Sequence, residues 1–144
     1  MWTPADPSSD DPYFEKFAAQ GQNFFAAAGD WNSWKTSPYA YPAEDAYVTG
    51  VGGTDLQTQS AGGPWASETA WSDSGGGISP DGIPIPSWQQ LSGVINSKNQ
   101  GSTTLRNGPD VAAESNFDFY VCADQRGCGS GSVSYTHLAA KPVE

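Results

Sequence analysis

The stretch FFAAAGDW, residues 24–31, limits the choice of fold more than any other in the chain. Its apolar part, NFFAAAG, is continuous, whereas a strand with one wet face alternates apolar and polar side chains. It is therefore expected to be a parallel strand buried on both faces. PYFEKFAAQG stands just before it, with Phe14, Phe17 and Ala18 at helical spacing and Gly21 placed as a C-cap. Helix, short turn, buried strand and polar loop make half of a βαβ unit. The run closes on Gly29 and Asp30, so Asp30 is either a turn residue or a reactive carboxyl group held at a strand end.

The rest of the chain reads in the same terms. Residues 3–12, TPADPSSDDP, form a loop with a helix start. WNSWKTSPYAYPAED has no regular period, and the β-branched run AYVTGVGGTDL is a second buried strand. PWASETAW alternates as a further strand, SDSGGGISPDGIPIP is loop, and SWQQLSGVINS is expected to be helical. PDVAAES and FDFYVCAD are the last elements, the second with β character. A chain of 144 residues fits one domain with a real core, and 17 Gly and 11 Pro favour short strands and many loops. Six Trp, six Tyr and six Phe supply the bulk for that core.

A net charge of −10 repels phosphate backbones, which excludes nucleic acid as a partner. Such an acidic chain suits low pH, where protonation lowers its net charge. Cys122 and Cys128 bracket CADQRGC, and zinc would need more Cys or His than the chain holds, so no metal site is expected. A disulfide closing a small loop is the better reading, and it implies an oxidising compartment. No apolar run approaches the length of a membrane span, and no signal segment opens the chain, so an export signal would lie outside it.

Taken in order, FFAAAGD, YPAEDAYVTGVGGTDL, ETAWSDSGGGIS, PSWQ and NGPDVAAE resemble the sedolisin family of serine-carboxyl peptidases, acid-acting relatives of the subtilisins. The resemblance covers about residues 2–128. It implies a subtilisin-like α/β fold, a mostly parallel sheet with flanking helices, incomplete at both ends of this chain. It also implies secretion, protein or peptide substrates, and a Ser-Glu-Asp triad. The family's A-[SA]-G-D motif is matched by Ala27, Ala28, Gly29 and Asp30, which gives Asp30 the oxyanion-hole role. An ionised carboxylate repels an oxyanion, but a protonated one donates a hydrogen bond to it. Burial at a strand end keeps an Asp neutral, most easily in acid. The single histidine, His137, lies in the tail, so a Ser-His-Asp triad within the body is excluded.

The triad itself is expected to be missing. Only 29 residues precede Asp30, too few for the helix that carries the family's Glu and Asp. Residues 129–135, GSGSVSY, do not match the nucleophile motif G-T-S-x-[AS]-x-P. Residues 1–128 are thus expected to be a partial peptidase domain and residues 129–144 a foreign tail. The family's calcium site lies further downstream, so no cofactor is expected here. Ser132 would need a base the chain does not supply.

Other residues carry plainer readings beside the functional ones. Gly75, Gly76 and Gly77 are either a flexible turn or a cleft loop that lets substrate approach the backbone. Asp110 is a structural acceptor in a buried turn. Trp65, Trp71 and Trp88 are packing residues, and so, more than pocket walls, are Trp31 and Trp34. Glu44, Asp45 and Glu68 are solvated surface charges, and Glu114 is not paired with Asp118. The rival function is a secreted, non-catalytic, β-rich module that binds a peptide or glycan through aromatics and Gly/Asn loops.

Overall fold

A computed structural model describes residues 7–60, 63–116, 118–123 and 127–132, with backbone alone for the last two stretches. The helix α1 spans Pro7–Ala19 and ends through Gly21, whose φ is +72°. Phe14 is its buried residue, and its ring meets Phe24 at 4.8 Å between centroids. That contact anchors α1 to β1, Phe24–Ala27. The long strand β2 spans Val48–Thr58, β3 Trp65–Ala70 and β6 Val111–Glu114. Short pairs complete the framework: β4, Gly77–Ile78, with β5, Asn107–Gly108, and β7, Asp118–Ala123, with β8, Gly127–Ser132.

The register of β2 explains the architecture. Val51 is paired with both Ala27 of β1 and Val111 of β6, so those strands lie on opposite edges, both parallel to β2. Thr54 is paired with both Glu114 of β6 and Ala70 of β3. Hence β1 and β3 share one edge of β2 end to end, and β3 runs antiparallel to it. The loops leaving β1 and β3 meet where β2 changes neighbours, around Gly52 and Gly53. There Ala28 N donates to Val51 O at 2.8 Å, and Trp71 N donates to Gly53 O at 3.1 Å.

The sheet is therefore mixed, with two parallel pairs and one antiparallel pair, and α1 is the one α-helix among the described residues. No described helix is long and apolar enough to cross a membrane. The expected strand at residues 24–27 is present and parallel, but only one of its faces is covered. Phe24 and Ala26 turn toward α1 and the core, while Phe25 is 54 % exposed. SWQQLSGVINS is not a helix beyond one 3-10 turn at Ser87–Gln90. Leu91 leaves it with an extended ψ of 146°, and Gly93 takes a φ of +87°, which ends any helical path.

Packing differs from the expectation at Trp31, Trp65 and Trp88, which are exposed, and agrees with it at Trp34. Trp34 is the buried centre of a core with Ala28, Ala40 and Ala43. Trp65 on β3 is 62 % exposed, because nothing packs on that strand among the described residues. Trp88 lies half open over the guanidinium of Arg106, 4.7 Å from ring centroid to Cζ. In the β7–β8 hairpin Cys122 lies opposite Cys128, the pair expected to be bonded; their side chains lie outside the described residues. The hairpin backbone runs across position 128/129, where the tail was expected to start. Ser132 closes β8, and His137 lies outside the described residues.

Candidate active site

Asp30 follows the carboxyl end of β1, the end of a parallel strand where open α/β sheets place their ligands. Gly29 carries the turn with φ at +98°, a backbone state that side-chain-bearing residues rarely adopt. Across from it comes the loop from Trp71 to Gly77. The two segments are laced together by main-chain hydrogen bonds: Gly75 N to Gly29 O at 2.6 Å, Asn32 N to Asp73 O at 2.9 Å, and Trp34 N to Gly76 O at 3.0 Å. Ser74 Oγ accepts from Gly53 N at 2.8 Å and fixes the loop to β2. Gly75 must be glycine for this closeness, since a Cβ there would lie 1.9 Å from Ala28 O.

Two candidate features separated by more than forty residues in the chain are thus one structure. Gly75 and Gly76 flank the Asp30 turn, and Gly77 packs beside Trp34 and opens β4. Gly75 N and Gly76 O take part in this lacing, and Gly77 pairs with Gly108. Trp34 supports the floor of the site, donating from Nε1 to Ala28 O at 2.9 Å while nearly fully buried. Trp31 and Tyr39, each 70 % exposed, stand at the rim.

The Asp30 carboxyl is half-buried, and its pKa is raised, first by lost hydration and then by the charge of Asp73. Both effects favour the neutral acid, which can donate a hydrogen bond to a developing oxyanion. Asp73 sits in the glycine loop and was not singled out from the sequence. Its proximity depends on the loop folding back, for which S-D-S-G-G-G carries no readable signal. Asp110 holds the structural role expected of it, accepting Gly50 N at 2.8 Å, and adds an ion pair with Arg106 Nη2 at 2.6 Å.

Glu44 and Asp45 correct the expectation of solvated charges. Glu44 is fully buried and Asp45 is 3 % exposed. Residues 40–46 form a tight turn pressed onto β2, with Glu44 N donating to Ala40 O and Asp45 N to Pro42 O. Asp45 accepts Tyr47 N at 2.6 Å, and Arg106 Nε reaches its main-chain oxygen at 3.5 Å. Glu68 is on the surface as expected, accepting from Thr54 Oγ1 at 2.6 Å. Glu114 pairs across the sheet with Thr54, while the side chain of Asp118 is outside the described residues.

No family model matches the chain. Individual relatives do. Kumamolisin of Bacillus sp. is 36 % identical over 122 residues, which is 77 % of this chain and 22 % of that protein. Sedolisin of Pseudomonas sp. is 33 % identical over 116 residues, covering 62 % of this chain and 19 % of its own length. A solved structure of Pseudomonas sedolisin, a serine-carboxyl proteinase complexed with two molecules of pseudo-iodotyrostatin, superposes with a TM-score of 0.59 at 30 % identity. That match covers 79 % of this chain and 36 % of the solved one.

The chain is sedolisin-like over the stretch these relatives match. Its fold is accordingly a portion of a subtilisin-like α/β fold, and it spans about a fifth of the length of the curated relatives it matches. Calcium, implied by the resemblance, finds no fit here. Among the described residues no three His, Cys, Asp or Glu side chains come together to hold a metal ion.

Proposed function

We propose that this sedolisin-like chain is the oxyanion-binding part of a secreted, acid-acting serine-type endopeptidase that cleaves proteins or peptides. When a serine attacks the scissile carbonyl, negative charge gathers on the carbonyl oxygen. The neutral Asp30 carboxyl group donates its O–H to that oxygen, and withdraws the donor once it ionises at higher pH. Gly75 and Gly76 hold the Asp30 turn in place, and Gly77 beside them lines the cleft that takes the peptide. The observation that carries this reading is the Asp30 turn itself, at the carboxyl end of β1 and laced to the glycine loop by three main-chain hydrogen bonds.

The chain carries no G-T-S-x-[AS]-x-P motif, and it is therefore proposed to be inactive alone. Calcium has no step in this reading, and neither nucleic acid nor membrane is a partner. The opposed Cys122 and Cys128 fit an oxidising, extracellular setting, and residues 129–144 are proposed to be foreign to the peptidase domain. Exposed Trp31 and Tyr39 are the surface a non-catalytic binding module would use.

A chimera separates the readings: kumamolisin with its aligned stretch replaced by residues 24–116. It should digest denatured protein in acid, and Asp30→Ala should lower kcat by roughly 10²- to 10³-fold with KM little changed. Full activity of the Asp30→Ala chimera would remove the oxyanion role. Ligand binding by a folded chain without any catalytic competence in the chimera would favour the binding module.

A further inference from the structure

The proposed reaction leaves one buried titratable group unused, the side chain of Glu44. It has no exposure to solvent, and neither carboxyl oxygen meets a partner at hydrogen-bonding geometry. An ionised carboxylate so placed would lack both water and a donor, a state that folded proteins escape by keeping the group neutral.

The surroundings offer no countercharge. From its own turn Glu44 is accompanied by Tyr41 and by Asp45. From α1 come Asp10 and Asp11, and Asp11 accepts the Tyr41 hydroxyl at 2.9 Å. From the turn after β4 come Ser79 and Asp81, whose polar groups approach the Glu44 carboxyl without reaching good hydrogen-bond geometry, Asp81 adding its charge as well. The buried cation on this side, Arg106, is already taken. It holds Asp110 through Nη1 at 2.8 Å and Nη2 at 2.6 Å, and reaches Val48 O from Nη2 at 3.3 Å. Asp81 thus faces Glu44, while Asp10 and Asp11 face Tyr41 and Asp45 of the same turn, and the carboxylate that Arg106 pairs with is Asp110.

The position of Glu44 ties its charge to the candidate active site. Ala40 and Ala43, both just before it in the turn, belong to the core with Trp34 and Ala28. Ala28 is two residues from Asp30, and its carbonyl receives the Trp34 indole. Ala43 O presses on β2 so closely that a Cβ on Gly50 would lie 2.6 Å away. Hydrating a charged Glu44 would require the turn that Ala43 O presses onto β2 to open. That movement removes Ala40 and Ala43 from beneath Trp34.

We propose that Glu44 is an acid latch: neutral, it lets residues 40–46 seal the core beneath the Asp30 turn, and ionised, it releases them. The latch is a property of the fold and does not require Asp30 to be catalytic. Burial, with Asp81 adding to it and Ser79 opposing it, pushes the Glu44 pKa up to about 7. Burial likewise raises Asp45 to about 6; Tyr47 N and Arg106 pull it down, and Asp11 pushes it up. For a carboxyl group raised in the folded state, the stabilisation is complete below the unfolded pKa. It is lost as pH rises through the folded one, here from about 4.5 to about 7.

The test is chemical denaturation of the full 144-residue chain from pH 4 to 8.5, beside Glu44→Gln. The wild-type folding equilibrium constant should fall by roughly three to four orders of magnitude from pH 4.5 to above pH 7, Glu44 and Asp45 both contributing, and Glu44→Gln should remove about two of them. Hydrogen exchange at residues 28–34, corrected for its intrinsic pH dependence, should accelerate over the same range in the wild type only. If Glu44→Gln does not fold, the wild-type Glu44 carboxyl carbon read by NMR decides, with a midpoint near 7 expected. Parallel pH curves for wild type and variant, a midpoint near 4.5, or a chain unfolded even in acid would each overturn the latch.

Discussion

Replacing Asp110 with Ala should be among the most damaging single changes in the described structure. Arg106 is fully buried, and the side chain of Asp110 is 11 % exposed. The carboxylate takes both ends of the guanidinium and also accepts Gly50 N at 2.8 Å, which joins β2 to the turn before β6. Its removal leaves a buried cation with only carbonyl partners and an unpaired amide on β2. Breaking a buried pair from one side costs about 3–5 kcal/mol. A domain of this size has about 5–15 kcal/mol in total. Urea denaturation at pH 5, followed by tryptophan fluorescence, reads the difference. The double variant Arg106→Met/Asp110→Ala should be more stable than Asp110→Ala alone, because it no longer strands a charge. A loss below about 1 kcal/mol for Asp110→Ala, or a double variant worse than the single, would show that Asp110 does not neutralise a buried Arg106.

The other substitutions probe the site's supports. Trp34→Ala should cost about 3–5 kcal/mol by opening a cavity under Ala28, whereas Trp34→Phe, which loses the hydrogen bond to Ala28 O, should cost about 1 kcal/mol. Gly75→Ala, with its Cβ 1.9 Å from Ala28 O, should lower stability by at least about 1–3 kcal/mol in the same denaturation assay. Trp65→Ala, at a position 62 % exposed, should shift stability by no more than about 0.5 kcal/mol.

How much of this was legible in the residues depended on range. The strands at residues 24–27 and 48–58 were readable because each is a local apolar or β-branched run, and α1 because Phe14 and Phe17 repeat at helical spacing. The Asp30 turn was readable as a motif, and the glycine loop as another. Their contact was not, since it depends on β2 exchanging β1 for β3 along one edge. Glu44 and Asp45 look like surface residues because Y-P-A-E-D is polar and aperiodic. Only the packing of Ala40 and Ala43 on Trp34 pulls the turn inward. The missing helix after Ser87 has a local cause in Gly93, a helix-breaking residue that the apolar spacing of Trp88, Leu91 and Val94 obscured.

The turn after β1 favours the neutral form of Asp30, so its carboxyl should titrate above an ordinary aspartate. A pH titration of the Asp30 carboxyl carbon by NMR, on the folded chain with and without Asp73→Asn, tests it directly. The expected midpoint lies above the ordinary aspartate value in the wild type and lower, still raised by burial, once the Asp73 charge is gone. A wild-type midpoint at or below the ordinary value would contradict it, because Asp30 would then be ionised across the acid range and could not donate to an oxyanion.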